Sequence, residues 1–194
     1  MREGNSFDVG TMHIELFLSS GQLPHGITLT RQTHSANIHS VQLGDENLEN
    51  YDALITDNRD VTLGIKTADC APICFGDGEK VGIAHIGWRG LCLGLIEKML
   101  EHFNPSTVQV YVGPFLNTFE IKKDFCYDEI RKKFGDMFFR EDPEKLVFDF
   151  KQAIVSLLPP QTVYDPRDTS KDSSFPSYRR DRKKGNFVTT VSFR

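Results

Sequence analysis

Five apolar runs, Ile38–Leu43, Ala53–Thr56, Val61–Lys66, Pro72–Phe75 and Val81–Ile86, follow one another at short intervals, and no helical spacing begins before Trp88. Short continuous or alternating apolar runs bounded by Gly, Pro, Asp and Asn read as β-strands. So many strands ahead of the first strong helix are incompatible with a strictly alternating βαβ order, and the chain is expected to adopt an α+β fold. Further strands are expected at Val108–Val112, at Val163–Tyr164 and over the last segment, where Phe187, Thr189, Val191 and Phe193 alternate with Val188, Thr190 and Ser192. Leu91, Leu95, Met99 and Phe103 share one face of a helix predicted over Trp88–Phe103, and weaker helical spacing recurs in Lys123–Phe134 and Phe150–Leu158. The stretch Asp165–Ser177 reads as an ordered loop leading into the final strand. With no internal repeat or linker-like segment, residues 1–194 are expected to form one domain.

Composition narrows the function classes. With 39% hydrophobic and 26% charged residues in 194, the chain has material for a sizeable core. A net charge of -4 offers no general attraction to nucleic acid or to an acidic membrane, so neither is expected as a partner. No run of about 18 apolar residues occurs and the first residues lack a signal-peptide pattern, so a cytoplasmic location is expected. In that setting the four cysteines read as thiols, metal ligands or core residues and not as a disulfide framework.

Three residues sit where side chains are presented at strand ends. Cys70 lies in the turn Lys66-Thr67-Ala68-Asp69-Cys70-Ala71-Pro72 between two apolar runs. His85 closes a strand in Ala84-His85-Ile86-Gly87-Trp88-Arg89-Gly90, whose glycines allow a sharp entry into the following helix. His34 stands in the polar stretch Thr30–Asn37, just ahead of a strand. Two histidines and a cysteine fit three chemistries: zinc with an open fourth position, a blue-copper centre, or a Cys70–His85 thiolate–imidazole pair. The residues alone leave all three open.

The segments Gln32-Thr33-His34-Ser35, Thr67-Ala68-Asp69-Cys70-Ala71-Pro72, Ala84–Gly90 and Ser177-Tyr178-Arg179-Arg180-Asp181 resemble, in this order, the motifs of the laccase-domain family, also called the YfiH or peptidoglycan editing factor family. Val112-Gly113-Pro114 followed by Phe119-Glu120-Ile121 resembles a further family segment, so the likeness runs from about residue 30 to residue 194. The resemblance implies a layered α/β/β/α sandwich, zinc bound by His34, Cys70 and His85, and phosphorolysis of purine nucleosides with adenosine deamination. A purine nucleoside and phosphate are then the expected partners. A hydrolase acting on peptidoglycan precursors through the same metal is the alternative, and a copper polyphenol oxidase is a weaker one, since no His-x-His pair occurs among the six histidines.

Within that reading Asp69 is either a general acid or a turn residue that holds Cys70 in place. Arg89 is the expected phosphate-binding cation, and Tyr178 and Arg179 are candidates because they fall inside a motif. Arg182, Lys183 and Lys184 read as a solvated run, and His13, His25, His39, His102, Cys74, Cys92 and Cys126 as structural. The sequence departs from the family in carrying Asp168-Thr169 where Cys-Thr is common, and in a short region 1–29 without a Ser-x-Asn-Leu segment.

Overall fold

A computed structural model describes residues 5–18, 23–44, 48–142, 144–182 and 185–194; Lys183 and Lys184 of the basic run lie outside them. In chain order the strands are β1 (Asn5–Val9), β2 (Met12–Phe17), β3 (Ile27–Leu29), β4 (Ile38–Ser40), β5 (Ala53–Thr56), β6 (Thr62–Thr67), β7 (Ala71–Gly76) and β8 (Val81–Ile86). Two helices follow, α1 (Trp88–Cys92) and α2 (Leu95–Leu100), then β9 (Gln109–Val112), β10 (Phe119–Ile121), α3 (Phe125–Phe134), β11 (Phe139–Asp142) and β12 (Lys145–Phe148). The chain ends with α4 (Phe150–Val155), β13 (Val163–Tyr164), α5 (Tyr178–Asp181) and β14 (Phe187–Phe193). This is a mixed α+β fold of two larger sheets, in the orders β13-β9-β7-β8-β5-β4 and β1-β2-β14-β6-β3, with a smaller sheet β10-β12-β11.

The pleat assigns each residue to a layer. Leu54, Cys74 and Ile83 point from the six-stranded sheet toward Ile14, Leu63, Ile65 and Val191 of the five-stranded sheet, all of them buried. Their neighbours Ala53, Ile55, Ile73, Phe75, Ala84 and Ile86 point the other way, onto Leu91, Leu95, Ile96 and Met99 of α1 and α2. Ile130, Phe150, Ala153 and Ile154 of α3 and α4 join the same apolar cluster. A sheet covered on both faces needs apolar residues at every position, which is why β5, β7 and β8 are continuous apolar runs. Among the described residues no helix is long and apolar enough to cross a membrane.

Three local expectations change. The predicted helix over 88–103 is two short helices, because Gly94 adopts φ +77, a left-handed conformation that ends the first and caps the second. The strand expected over 38–43 stops at Ser40, and Tyr178–Asp181, where no helical spacing is read in the sequence, forms one helical turn. The hairpin β1–β2 goes beyond the sequence reading, although Met12, Ile14 and Leu16 alternate with half-buried His13, Glu15 and Phe17.

Strand direction decides where the chemistry lies. β7 runs antiparallel to β8, β8 antiparallel to β5, and β5 parallel to β4. The starts of β4, β5 and β7 and the end of β8 therefore meet at one end of the sheet, together with His34, Asp52, Cys70 and His85. Replacing Gly94 by Ala forces a Cβ into the left-handed region and is expected to cost about 1–2 kcal/mol. The urea midpoint of Gly94→Ala should fall accordingly while the circular dichroism spectrum of the folded protein stays unchanged.

Candidate metal centre

Asp52 precedes β5, is 0% exposed, and faces the loop that leads into β4. Its Oδ2 accepts from Thr33 N (3.1 Å), Ser35 N (2.7 Å) and Ser35 Oγ (2.8 Å), and its Oδ1 accepts from His34 N (3.0 Å). His85 Nδ1 lies 2.8 Å from the same Oδ1, and His85 N donates to Asp52 O at 2.7 Å. Burial alone would raise the Asp52 pKa, but the hydrogen bonds from His85, Ser35 and Thr33 outweigh it and hold the carboxyl well below the usual carboxylate range. A carboxylate here fixes the proton of His85 on Nδ1 and leaves Nε2 with a lone pair for a metal ion. It also fixes the loop in which His34 takes a φ of +59.

The ligand atoms of His34, Cys70 and His85 lie within 4.8 Å of one another, the one such cluster among the described residues. Cys70 Sγ is 3.8 Å from His34 Nε2, and the two imidazoles meet edge to face at 4.7 Å. Donors 2.0–2.3 Å from a common zinc ion at the tetrahedral angle stand about 3.5 Å apart, so the spacing suits an ion of that size. Nothing fills the angle beside them, because Gly87 has no side chain; a Cβ there would sit 3.0 Å from His34 Cδ2 and 3.1 Å from Cys70 Sγ.

Charge points the same way. Burial pushes the Cys70 thiol up, but His85 and His34 beside it bring it down to about 6. Burial pushes the His85 imidazole down, and Cys70 with Asp52 carries it up to about 9. Without a metal ion, the Cys70 thiolate and the Asp52 carboxylate thus face one imidazolium charge on His85; a divalent cation that displaces the Nε2 proton satisfies the same two anions. Burial instead raises Cys92 to about 11 and Cys126 to about 12 and pushes Cys74 higher still, so these thiols stay protonated.

His34 and Cys70 form part of the wall of a cleft of about 520 Å³ that Trp88, Phe119, Phe150, Tyr178 and Arg179 also line. The Arg179 guanidinium sits 4.8 Å from the Phe119 ring centroid and donates from Nη1 to Glu120 O at 3.3 Å. Asp69 lines the cleft with both carboxylate oxygens occupied, accepting from Thr169 Oγ1 at 2.8 Å and from Arg179 N at 2.7 Å. Its φ of +80 marks a tight turn immediately before Cys70. Arg89 is not among the residues lining the cleft: it is exposed, with its guanidinium 5.2 Å from the Trp88 ring centroid.

The departure at Asp168-Thr169 has a structural use, since Thr169 is fully buried and holds Asp69 while Asp168 Oδ1 accepts from Ser170 N and Oγ. His13 pairs with Asp8 at 2.8 Å and His39 packs on Tyr51, away from the centre. Sequence reasoning missed Asp52, whose partners lie 17 to 33 positions away in the chain. Arg180 was also missed; it donates to the carbonyls of Thr169, Asp172 and Phe175 and so ties the loop before α5 together.

The family model described as "Multi-copper polyphenol oxidoreductase laccase" matches residues 10–194. A protein of Aquifex aeolicus named purine nucleoside phosphorylase is 35% identical over 147 residues, covering 72% of this chain and 69% of that protein. The Escherichia coli protein named purine nucleoside phosphorylase YfiH is 26% identical over 190 residues, 89% of this chain and 76% of that one. A crystal structure from Neisseria meningitidis shares the fold at a TM-score of 0.83 and 21% identity, covering 98% of both chains.

Two outcomes follow from the geometry. Asp52→Asn, which loses the anionic acceptor for His85 Nδ1–H, is expected to lower metal affinity by about 10–100-fold. Metal titration by competition with a chelator measures this, with circular dichroism checking that the fold survives. In metal-free protein Cys70 should be alkylated by iodoacetamide with an inflection near its pKa of about 6, the rate rising with pH as thiolate forms, while Cys74 stays unmodified. An inflection near 9, the ordinary value for a free thiol, would show that the histidines do not govern Cys70.

Proposed function

The chain belongs to the multi-copper polyphenol oxidoreductase laccase family, and we propose that within it this protein is a zinc-dependent purine nucleoside phosphorylase that also deaminates adenosine. The observation that carries the reading is the meeting of the three-donor cluster with an aromatic cleft of about 520 Å³, a volume within the usual range for small-molecule sites. The names of the Aquifex aeolicus and Escherichia coli relatives support the substrate class.

Zinc held by His34, Cys70 and His85 would supply Lewis acidity at its remaining position. The chain's own groups do the rest. Trp88, Leu116, Phe119 and Phe150 give the cleft an apolar wall against which a purine can lie. Arg179 brings a cation to the same cleft, with its backbone N pinned by Asp69. Asp69 itself serves in this reading as the residue that positions Cys70 and α5, both of its oxygens being already engaged. Tyr178, 56% exposed, stands at the rim of the cleft, whereas Arg89 lies against Trp88 and outside the residues that line it. A copper oxidase fits the donors less well. His34 and His85 are the histidines in the cluster, and no second cluster for further copper ions occurs among the described residues.

The test uses purified protein carrying one zinc ion per chain, given inosine or adenosine with and without phosphate. Base and ribose 1-phosphate formed only with phosphate, and ammonia released from adenosine, are the expected products. Loss of both on Cys70→Ala in a folded, zinc-poor protein would agree with them. If zinc-replete protein releases neither base nor ammonia, yet cleaves a muramyl–amino acid bond, the nucleoside reading is overturned in favour of the peptidoglycan-precursor hydrolase.

A further inference from the structure

The metal donors have a second side. Thr30, Gln32, Lys66 and Asn186 line a recess of about 280 Å³ that shares His34, Ala68, Cys70 and Asn186 with the aromatic cleft and adds His85. The two spaces thus adjoin at the donor cluster and differ in character. One is lined by aromatic rings, whereas the other, among the described residues, has polar lining apart from Ala68 and the donors themselves. Lys66 is the one lysine or arginine among the described residues of the recess. It is the exposed position of β6, between Ile65 and Thr67, both buried. Gln32 clamps its main chain from both sides, donating from Nε2 to Lys66 O at 2.7 Å and accepting from Lys66 N at 2.9 Å. Gln32 lies two residues before His34, so the loop that presents the metal donor also fixes the strand that presents the cation.

We propose that this recess is the phosphate subsite, with Lys66 as its cation and Asn186 as a neutral amide partner. The proposal rests on the phosphorylase reading and deepens it. In phosphorolysis an oxygen of HPO₄²⁻ forms a bond to ribose C1′ as the C1′–N9 bond breaks and its electron pair leaves with the purine. The proton of the phosphate ends on the departing base, and ribose 1-phosphate is released as its dianion. A displacement of this kind brings the nucleophile to the face of C1′ opposite the leaving group, and a purine in the aromatic cleft with phosphate in the recess places the ribose between them. Arg89, the cation expected from the sequence to bind phosphate, lines neither space.

Lys66→Gln removes the charge at an exposed position and is expected to raise the KM for phosphate by about tenfold or more, the size of a lost charge-assisted hydrogen bond. The KM for inosine should stay within about twofold, and Lys66→Arg should recover part of the loss. Calorimetric titration of the zinc-replete protein with inorganic phosphate, without nucleoside, gives a readout independent of turnover: binding in the parent and none in Lys66→Gln is expected. An unchanged phosphate KM in Lys66→Gln overturns the proposal, as does a phosphate KM raised instead by Arg179→Gln, which would put phosphate in the aromatic cleft. If the parent protein shows no phosphate-dependent base release, the phosphorylase reading fails by itself. The titration then still decides the recess, since phosphate binding that Lys66→Gln abolishes supports an anion site there and absent binding removes it.

Discussion

A buried carboxylate is the constraint on which the rest of the centre depends. Asp52 is fully enclosed, and an ionised carboxyl in such a place is costly unless its lone pairs are met. Here they are met by three backbone N–H groups, one hydroxyl and one imidazole, and these donors come from two separate parts of the chain. The carboxylate therefore does two jobs with one set of bonds. It folds the loop before β4 around itself, which carries His34 into position, and it orients His85 on β8. A neutral side chain of the same size could not hold three N–H groups and an imidazole N–H together on the same two oxygens.

The electrostatic consequence is selective. Of the four thiols, Cys70 alone is held at a pKa below that of a free cysteine, because it faces His34 and His85, the second of which is held by Asp52. Cys74, two strand residues beyond Ala71's neighbour Pro72, points into the apolar space between the sheets and is driven the opposite way. The difference between the two sulfurs is thus one of place: Cys70 lies in the turn before β7, and Cys74 lies within the strand. Shape adds to charge at Gly87, where the absent Cβ leaves the room that the two donors beside it occupy.

Much of this was legible in the sequence, for identifiable reasons. β5, β7 and β8 are covered on both faces, so their composition alone marks them, and β14, buried on both faces as far as Val191, is marked by its Phe, Val and Thr residues. Cys70 and His85 stand at the edges of those strands, which made them visible as presented residues. Asp52 was not visible, because nothing local distinguishes an acid before a strand from any other; only the pairing of β5 with β8 puts it beside His85. The break at Gly94 carried a signal in the glycine itself, but the apolar spacing of Leu91, Leu95 and Met99 continues across it and masks the change of direction. Arg89 shows the reverse failure. Its motif drew attention to it, while the turn into α1 lays its guanidinium against Trp88 and not among the residues that line the cleft. For Asp69 the residue type allowed both an acid and a turn anchor, and the two acceptor bonds that favour the anchor reach across about a hundred residues of chain.

The convergence of four strand ends has a consequence for how the protein behaves as a folding unit. His34, Cys70 and His85 are brought together only when β4, β5, β7 and β8 are all paired in register, so an unfolded or half-built chain offers separated ligands and no site. An ion that binds the finished sheet and not the open chain shifts the folding equilibrium by mass action, in proportion to the logarithm of its concentration over its dissociation constant. On the zinc reading, the cell's supply of the metal and the lifetime of the folded protein are coupled through the same three side chains.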